Sequence, residues 1–484
     1  QPRAEAVMRR RSDGEVPRPA DRSWWLEEAL AHAEFADPPA PPLDRDTGAD
    51  VVILGGGYTG MWTAWFLKQL EPAADVVILE QDICGGGPSG RNGGFVNSFW
   101  GYVEEAVELF GDRRAIELCL ACERATKDIG AFCAENEVDA WYTPAGDIGI
   151  ATSAAQHGRW RGTVDTAARL GYGDRLIELD ASAVAELVRA PLLGAAMMTT
   201  DAAIVQPARL ARGLRRLLLE RGVRIYEHTP VRRFRARPPV SAETPRGTVT
   251  AERAVIALNA WGAAWPVFSR GIAVRGTYMV VTAPAPEELE AIGWTSGVAV
   301  WNFRSAVNYL RTTADGRIAF GTGGMQPGSG RVIGPRFRYD RRYVSVVADQ
   351  FRAWFPSFAG VPLEAAWGGP IDVSGTHLPF FGTLPGGAAH FGFGYTGNGV
   401  GPSNLGGRIL ARLVLGIEDD DTRLPIVDME AKRFPREPLK SLGVRVVNAA
   451  ILRKDAAEDA GREAGPLTDF VARLPRRLGY HLGP

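Results

Sequence analysis

The sharpest pattern of apolar and polar positions lies between residues 49 and 80. Val51-Val52-Ile53-Leu54 is an unbroken apolar run, which predicts a parallel strand buried on both faces. Gly55-Gly56-Gly57-Tyr58-Thr59-Gly60 follows. From Met61 to Leu70 the apolar residues Trp62, Trp65, Phe66 and Leu70 return at helical spacing. Residues 75–79 form a second apolar strand that closes at Glu80. The pattern predicts one βαβ unit of about 30 residues.

Elsewhere the signals are more ordinary. Residues 23–35 predict a short amphipathic helix, and the Pro-rich stretch 37–43 a linker. Residues 104–135 and 154–170 predict helices, with a strand at 146–152 between them. Pro207 suits a first helical turn and Gly222 a stop, which brackets a helix over 208–221. Strands are predicted at 223–226, 231–236 and 254–258. Residues 273–321 alternate in part and predict an antiparallel sheet. A helix at 343–355 follows, then a strand, Gly-rich turn and helix over 391–415. The charged tail, 438–484, reads as helical.

Composition narrows the class. A chain of 484 residues predicts two or three structural units, and its 55 basic against 56 acidic residues argue against a dedicated nucleic-acid binder. No apolar run is long enough for a membrane span. Residues 1–20 are polar and Arg/Pro-rich without the apolar core of a signal peptide, so they are expected to be disordered and the protein cytoplasmic. The four cysteines, Cys84, Cys119, Cys122 and Cys133, show no disulfide framework, and the six histidines suggest no metal site. The chain has 57 glycines, and 17 of them fall within 55–60, 85–94 and 392–407.

Those clusters carry the chemistry. Gly55 allows a tight turn, Gly57 a close approach of backbone to a pyrophosphate, and Gly60 close helix–strand packing. The helix N-terminus at Tyr58 and Thr59 favours phosphate, and Glu80, followed by Gln81, is placed to meet ribose hydroxyls. A second loop, Ser89-Gly90-Arg91-Asn92-Gly93-Gly94, offers backbone N–H groups and side-chain donors to a diphosphate and a flavin edge. A third, around Gly397-Asn398-Gly399-Val400, opens a helix whose N–H groups suit negative charge at a flavin. Three distant loops favour FAD over a smaller nucleotide.

The segment 50–100, with GGGYTG, LEQ and PSGRNGGFVN, resembles the amine-oxidising flavoproteins of the D-amino-acid oxidase superfamily, which includes glycine and sarcosine oxidases. It is most similar to the γ-glutamylputrescine oxidase-like group. IALNAW (256–261), NYLRTTADGRIAFGTG (308–323), WGGPID (367–372), LPFFG (378–382) and GYTGNGVG (394–401) extend the resemblance over residues 24–416. It implies an α/β fold of α+β two-domain type: a Rossmann-type FAD-binding domain (49–100, 200–265 and 380–420) with an inserted antiparallel-sheet substrate domain (101–199 and 266–379). Residues 1–48 would be an N-terminal arm and helix, and 421–484 a C-terminal extension. Val231 falls where the family's backbone meets adenine, and Asn259 lies in the IALNAW segment.

The resemblance further implies hydride removal from a carbon bearing an amine nitrogen, giving an imine. The expected partners are a small-molecule amine and O2, which would yield H2O2, with a homodimer as the assembly to test. A flavoenzyme acting on a non-amine molecule is the alternative. The catalytic candidates are Trp367, Asp372, Tyr395, Arg311 and Tyr309, with Trp100, Tyr278 and Trp301 as further aromatic candidates. Two departures stand out. The family's amino-acid oxidases place a carboxylate-binding Arg just after the WxG segment, and 367–372 here holds no Arg but does hold Asp372. That fits an amine or polyamine-like substrate, or one whose anion sits elsewhere, with Arg304 and Arg311 as candidates for a different anion site. None of the five lysines matches the oxygen-activating lysine of sarcosine-oxidase-type enzymes, so a dehydrogenase stays open. Those enzymes also tether flavin through Cys or His; all four cysteines here precede position 134 and residues 88–100 hold no His, so the resemblance implies non-covalent FAD.

Overall fold

The computed structural model describes residues 16, 17, 19, 21–328 and 332–481. Most of the stretch expected to be disordered, 1–20, lies outside the described residues. Two eight-stranded sheets organise the chain, with one short two-stranded sheet beside them.

The first sheet grows from the predicted βαβ unit. Thr47–Leu54 runs parallel to Val76–Leu79 on one side and to Thr248–Ile256 on the other. Arg224–Tyr226 extends the sheet beyond Val76–Leu79, and Ala389–Phe393 extends it beyond Thr248–Ile256, both in parallel. Phe380–Thr383 closes that edge antiparallel. The central residues Val51 to Leu54 and Val76 to Leu79 are buried, as their unbroken apolar runs require. Helices Tyr58–Leu70, Pro207–Glu220 and Val400–Leu415 lie over this sheet and share its core.

The second sheet runs in the order Leu363–Ser374, Ile272–Thr282, Ile318–Pro327, Asn308–Thr312, Ala299–Asn302, Asp147–Ile150, Ala196–Thr199, Leu176–Leu179. It is antiparallel except where Ala299–Asn302 runs parallel to Asp147–Ile150. The pairing of Ile272–Thr282 with Ile318–Pro327 shifts register between Gly276 and Tyr278. A bulge of this kind re-aims neighbouring side chains, and here it sits beside Arg275 and Thr277. Helices Leu439–Asp459 and Pro466–Arg477 form the C-terminal part of the described chain.

Local differences from the sequence expectations have local causes. The helix expected over 104–135 breaks at Gly111, whose φ of 75° separates Val103–Phe110 from Asp112–Glu135. The helix expected over 154–170 shrinks to Arg161–Arg169 after a short 3₁₀ turn, with Gly158 at φ 76° between them. The strand expected at 254–258 begins earlier, at Thr248. Its first half alternates buried and exposed residues because a hairpin strand, Val240–Glu243, pairs there. Val231 precedes the short strand Arg233–Arg235 rather than opening it.

Candidate functional site

Two adjoining cavities lie beside the Gly-rich loops. The larger, about 600 Å³, is lined by Gly55, Gly57, Tyr58, Thr59, Glu80, Gln81, Ser89, Val231, Asn259, Tyr395, Gly397, Gly399 and Val400, among others. The smaller, about 260 Å³, is lined by Gly93, Asp147, Arg275, Trp301, Tyr309, His377 and Asn398, among others. Arg91, Asn92, Pro370, Ile371, Gly397 and Val400 line both and form their common wall.

The first loop is shaped to hold a dinucleotide. Gly55 has φ 111°, and a Cβ there would stand 2.4 Å from the Ala257 carbonyl oxygen. A Cβ on Gly60 would stand 2.0 Å from the Gly55 carbonyl oxygen, so the helix can sit this close to the strand only without a side chain. Gly57 caps helix Tyr58–Leu70 with no side-chain bond, which leaves the helix N-terminus facing the cavity. Glu80 Oε2 accepts from the Gly56 N–H at 2.8 Å and Oε1 from the Asp82 N–H at 2.8 Å. Each oxygen keeps a lone pair for a ribose hydroxyl. Burial pushes the Glu80 carboxyl up to about 7, against those two N–H bonds.

The second loop differs from expectation in how its polar side chains are used. Asn92 donates to the Pro88 and Ser89 carbonyls at 3.1 and 3.0 Å and accepts from the Gly94 N–H at 2.7 Å. Arg91 donates to the carbonyls of Gly86, Gly368 and Asp21. Both side chains therefore fix the loop's shape, and both line the two cavities. The Ser89 hydroxyl accepts from the Tyr58 N–H at 2.8 Å and retains its own proton to donate. Gly90 and Gly94 shape the loop without lining the larger cavity: a Cβ on either would fall within 2.2 Å of a backbone oxygen. Tyr58 turns its hydroxyl away, to the Pro207 carbonyl at 2.6 Å. Cys84 is buried and lines neither cavity.

Three catalytic candidates lie outside both cavities. Asp372 is fully buried outside both cavities. Its carboxylate accepts from the Gly394 N–H at 2.5 Å and the Asn259 amide at 2.9 Å, so it ties two cofactor-side loops together. Burial raises its carboxyl to about 7. Trp367 is fully buried, donates to the Arg91 carbonyl at 2.9 Å and meets Trp25 edge-on. Arg311 is buried beneath the second loop, donating to the carbonyls of Thr312 and Val205 and lying over the Trp25 ring at 5.3 Å. An alternating strand with one buried face cannot show from sequence alone whether its polar residues face a cavity or the core.

The other candidates divide. Tyr395 lines the larger cavity, and its hydroxyl accepts from Thr59 at 2.8 Å. Tyr309 lines the smaller one, against Gly93. Trp301 does too, while Trp100 and Tyr278 are core residues. Arg304 pairs with Asp459 at 3.3 Å instead of facing a cavity. Asn398 bonds the Tyr102 hydroxyl at 2.8 Å and adjoins His377, whose imidazole burial lowers to about 4.

The smaller cavity also contains two residues that sequence reasoning missed. Asp147 is buried; its Oδ1 accepts from the Trp301 indole at 2.8 Å, and its Oδ2 has no well-formed hydrogen bond. Burial raises this carboxyl to about 7; the Trp301 bond and the Thr199 hydroxyl oppose the rise, and the charge of Asp201 adds to it. Arg275 is buried in the middle of Ile272–Thr282. A charge inside the apolar run IAVRGTYMVV was the available signal for it, whereas nothing in the sequence singles out Asp147, at the first position of its strand.

Among the described residues, no group of three or more His, Cys, Asp or Glu side chains could hold a metal ion, and no helix is long and apolar enough to cross a membrane. Known proteins of similar sequence and fold supply the frame for the two cavities. The sequence model of the DAO family, described as FAD dependent oxidoreductase, matches residues 50–413. Gamma-glutamylputrescine oxidoreductase of Escherichia coli (strain K12) is 28% identical over 434 residues, covering 87% of this chain and 96% of its own. The fold matches glycine oxidase from Geobacillus kaustophilus with a TM-score of 0.62 at 22% identity, over 77% of this chain and 96% of that one. It matches L-proline dehydrogenase from P. horikoshii with a TM-score of 0.64 at 18% identity, over 79% and 96%.

Proposed function

Because this chain belongs to the DAO family of FAD-dependent oxidoreductases, we propose that it oxidises the C–N bond of an amine held in the smaller cavity. The observation that carries this reading is the buried Asp147 carboxylate, whose Oδ2 lacks a well-formed hydrogen bond, set among Trp301, Phe303 and Tyr309 in a cavity that shares a wall with the dinucleotide site. FAD, when bound in the larger cavity, supplies the acceptor for the hydride leaving the carbon next to nitrogen.

The side chains provide for the rest. An amine arrives as an ammonium ion and must lose a proton before electrons can leave through nitrogen. Asp147 Oδ2 is placed to take that proton, and a carboxyl raised to about 7 is divided between its two forms near neutral pH. The aromatic wall excludes water and disfavours the charged ammonium. Trp301 holds Asp147 in orientation through Oδ1. Pro370, Ile371 and Gly397 belong to the wall that the amine cavity shares with the cofactor cavity. Water then hydrolyses the imine to a carbonyl compound and releases the amine nitrogen.

O2 is the proposed acceptor that returns the cofactor to its oxidised state, giving H2O2. The E. coli relative is named for γ-glutamylputrescine, and that compound heads the substrates to try. The test supplies γ-glutamylputrescine and simple amines to the FAD-loaded protein in air and measures carbonyl product and peroxide. Both are expected, in equal amounts. Oxidation of 2-hydroxy acids with no amine turned over would refute the reading.

A further inference from the structure

The sequence offers no arginine after Trp367, and the structure removes Arg304 and Arg311 from the site. Four arginines line the smaller cavity: Arg91 donates to three carbonyls, Arg159 pairs with Glu458, Arg476 is exposed, and Arg275 is buried without a carboxylate. Arg275 is 8% exposed and lines that cavity beside Thr277, two positions along the same strand. Its Nη2 donates to Asn448 Oδ1, and its buried Nε has no hydrogen-bond partner. It makes no ion pair among the described residues. Asp455, the carboxylate whose charge reaches it, is engaged by the N–H groups of Ser305 and Ala306, at 3.2 and 2.8 Å, and by Arg304 at 3.9 Å. A buried, half-satisfied guanidinium is costly unless an anion completes it. Arg311, equally buried, differs on both counts: it lines neither cavity and donates to two carbonyls.

The helix that holds Arg275 lies beyond the segment matched by the family, which ends at residue 413. Asn448, on helix Leu439–Asp459, is itself fixed by donating to the Met325 carbonyl at 2.9 Å. The same helix presents Glu458 to Arg159, another cavity residue, at 3.0 Å, and Asp455 to the backbone of Ser305. Arg159 is thereby neutralised, Arg476 is exposed to solvent, and Arg275 is left as the buried lining cation without an ion pair among the described residues.

We propose that Arg275 binds an anionic group, of the carboxylate class, on the amine substrate, and that Asn448 of the C-terminal helix is the residue that positions it. This rests on the amine reading above for the identity of the ligand's other end. The substrate would lie between two poles, its amine toward Asp147 and its anion toward Arg275. The C-terminal helix thus becomes a specificity element of the enzyme.

The test compares straight-chain ω-aminocarboxylates with n-alkylamines of the same length, using FAD-loaded wild type, Arg275→Met, Arg275→Lys and Asn448→Ala. Wild type is expected to prefer the aminocarboxylate in kcat/KM by about 100-fold or more, an ion-pair-sized discrimination. Arg275→Met should collapse that ratio toward one, through KM. Arg275→Lys should retain part of it, and Asn448→Ala should lose about tenfold. An unchanged ratio in Arg275→Met, or none in wild type, overturns the proposal while leaving amine oxidation intact. Calorimetric titration with succinate reads the subsite without turnover. Saturable binding to wild type that Arg275→Met and Arg275→Lys weaken supports the subsite even if no amine is oxidised. Equal binding by all three, or none by wild type, refutes it. Should Arg275→Met fail to fold, the Lys and Asn448→Ala variants decide by the same ratio.

Discussion

Replacing Asp147 by asparagine should make the protein more stable at pH 8 and less active, and the two effects share one cause. In the folded chain the Asp147 carboxyl is raised from 3.8 to about 7, chiefly by burial. Holding a carboxyl that far above its ordinary value disfavours the charged form by about 4 kcal/mol. Between pH 4 and 7 the folded state keeps a proton that the unfolded state has released. Stability therefore falls as pH rises through that window and levels off above 7. An asparagine side chain would accept the Trp301 bond without charge and would escape this penalty, but its NH2 group would take the place of Oδ2, which lacks a well-formed hydrogen bond. That costs about 1–3 kcal/mol. The net gain at pH 8 is then about 1–3 kcal/mol, shrinking to a loss at pH 4, where wild type is already neutral. Urea unfolding at fixed FAD, at pH 4, 6 and 8, measures the difference between variant and wild type. Amine turnover in the variant should fall about 100-fold or more, the usual contribution of a positioned base. A variant no more stable than wild type at pH 8, with the same pH dependence, would refute the assigned environment of Asp147.

Other substitutions test the remaining assignments. Gly60→Ala places a methyl group against the Gly55 carbonyl and should yield protein with little or no FAD, read from the ratio of flavin to protein absorbance. Asp372→Asn presents an NH2 group to one of two donors, the Gly394 N–H or the Asn259 amide. The expected loss is about 1–2 kcal/mol in FAD binding, roughly tenfold in Kd, with substrate KM little changed at saturating FAD. A large rise in KM alone would return Asp372 to the substrate site. Arg311→Met strands the Thr312 and Val205 carbonyls and should lower stability by about 2–4 kcal/mol in urea unfolding. It should leave the preference for anionic amines untouched.

How much of this was legible in the sequence depended on how local the signal was. The dinucleotide loop was readable, because Gly55, Gly57, Gly60 and Glu80 act through turn geometry within about 30 residues. The smaller cavity was not. Asp147, Arg275, Trp301 and Tyr309 come from four strands, and only the order and register of the second sheet bring them to one cavity. Trp367 and Asp372 were conspicuous in sequence because they flank a distinctive motif, yet their strand turns them into the core. Arg91 and Asn92 have the right chemistry for a phosphate, but backbone carbonyls take three of the Arg91 donors and both of the Asn92 ones. The C-terminal helix gave no sequence signal of its role, since Asn448 matters only through the arginine it meets 173 positions earlier.

Anaerobic mixing of the FAD-loaded protein with γ-glutamylputrescine, followed at the flavin absorption bands, tests most directly whether an amine in the smaller cavity gives up a hydride to FAD in the larger one. Wild type is expected to bleach within one turnover, and Asp147→Asn to bleach about 100-fold more slowly. A flavin that stays yellow with this and every other amine, but bleaches with a 2-hydroxy acid, would contradict amine oxidation.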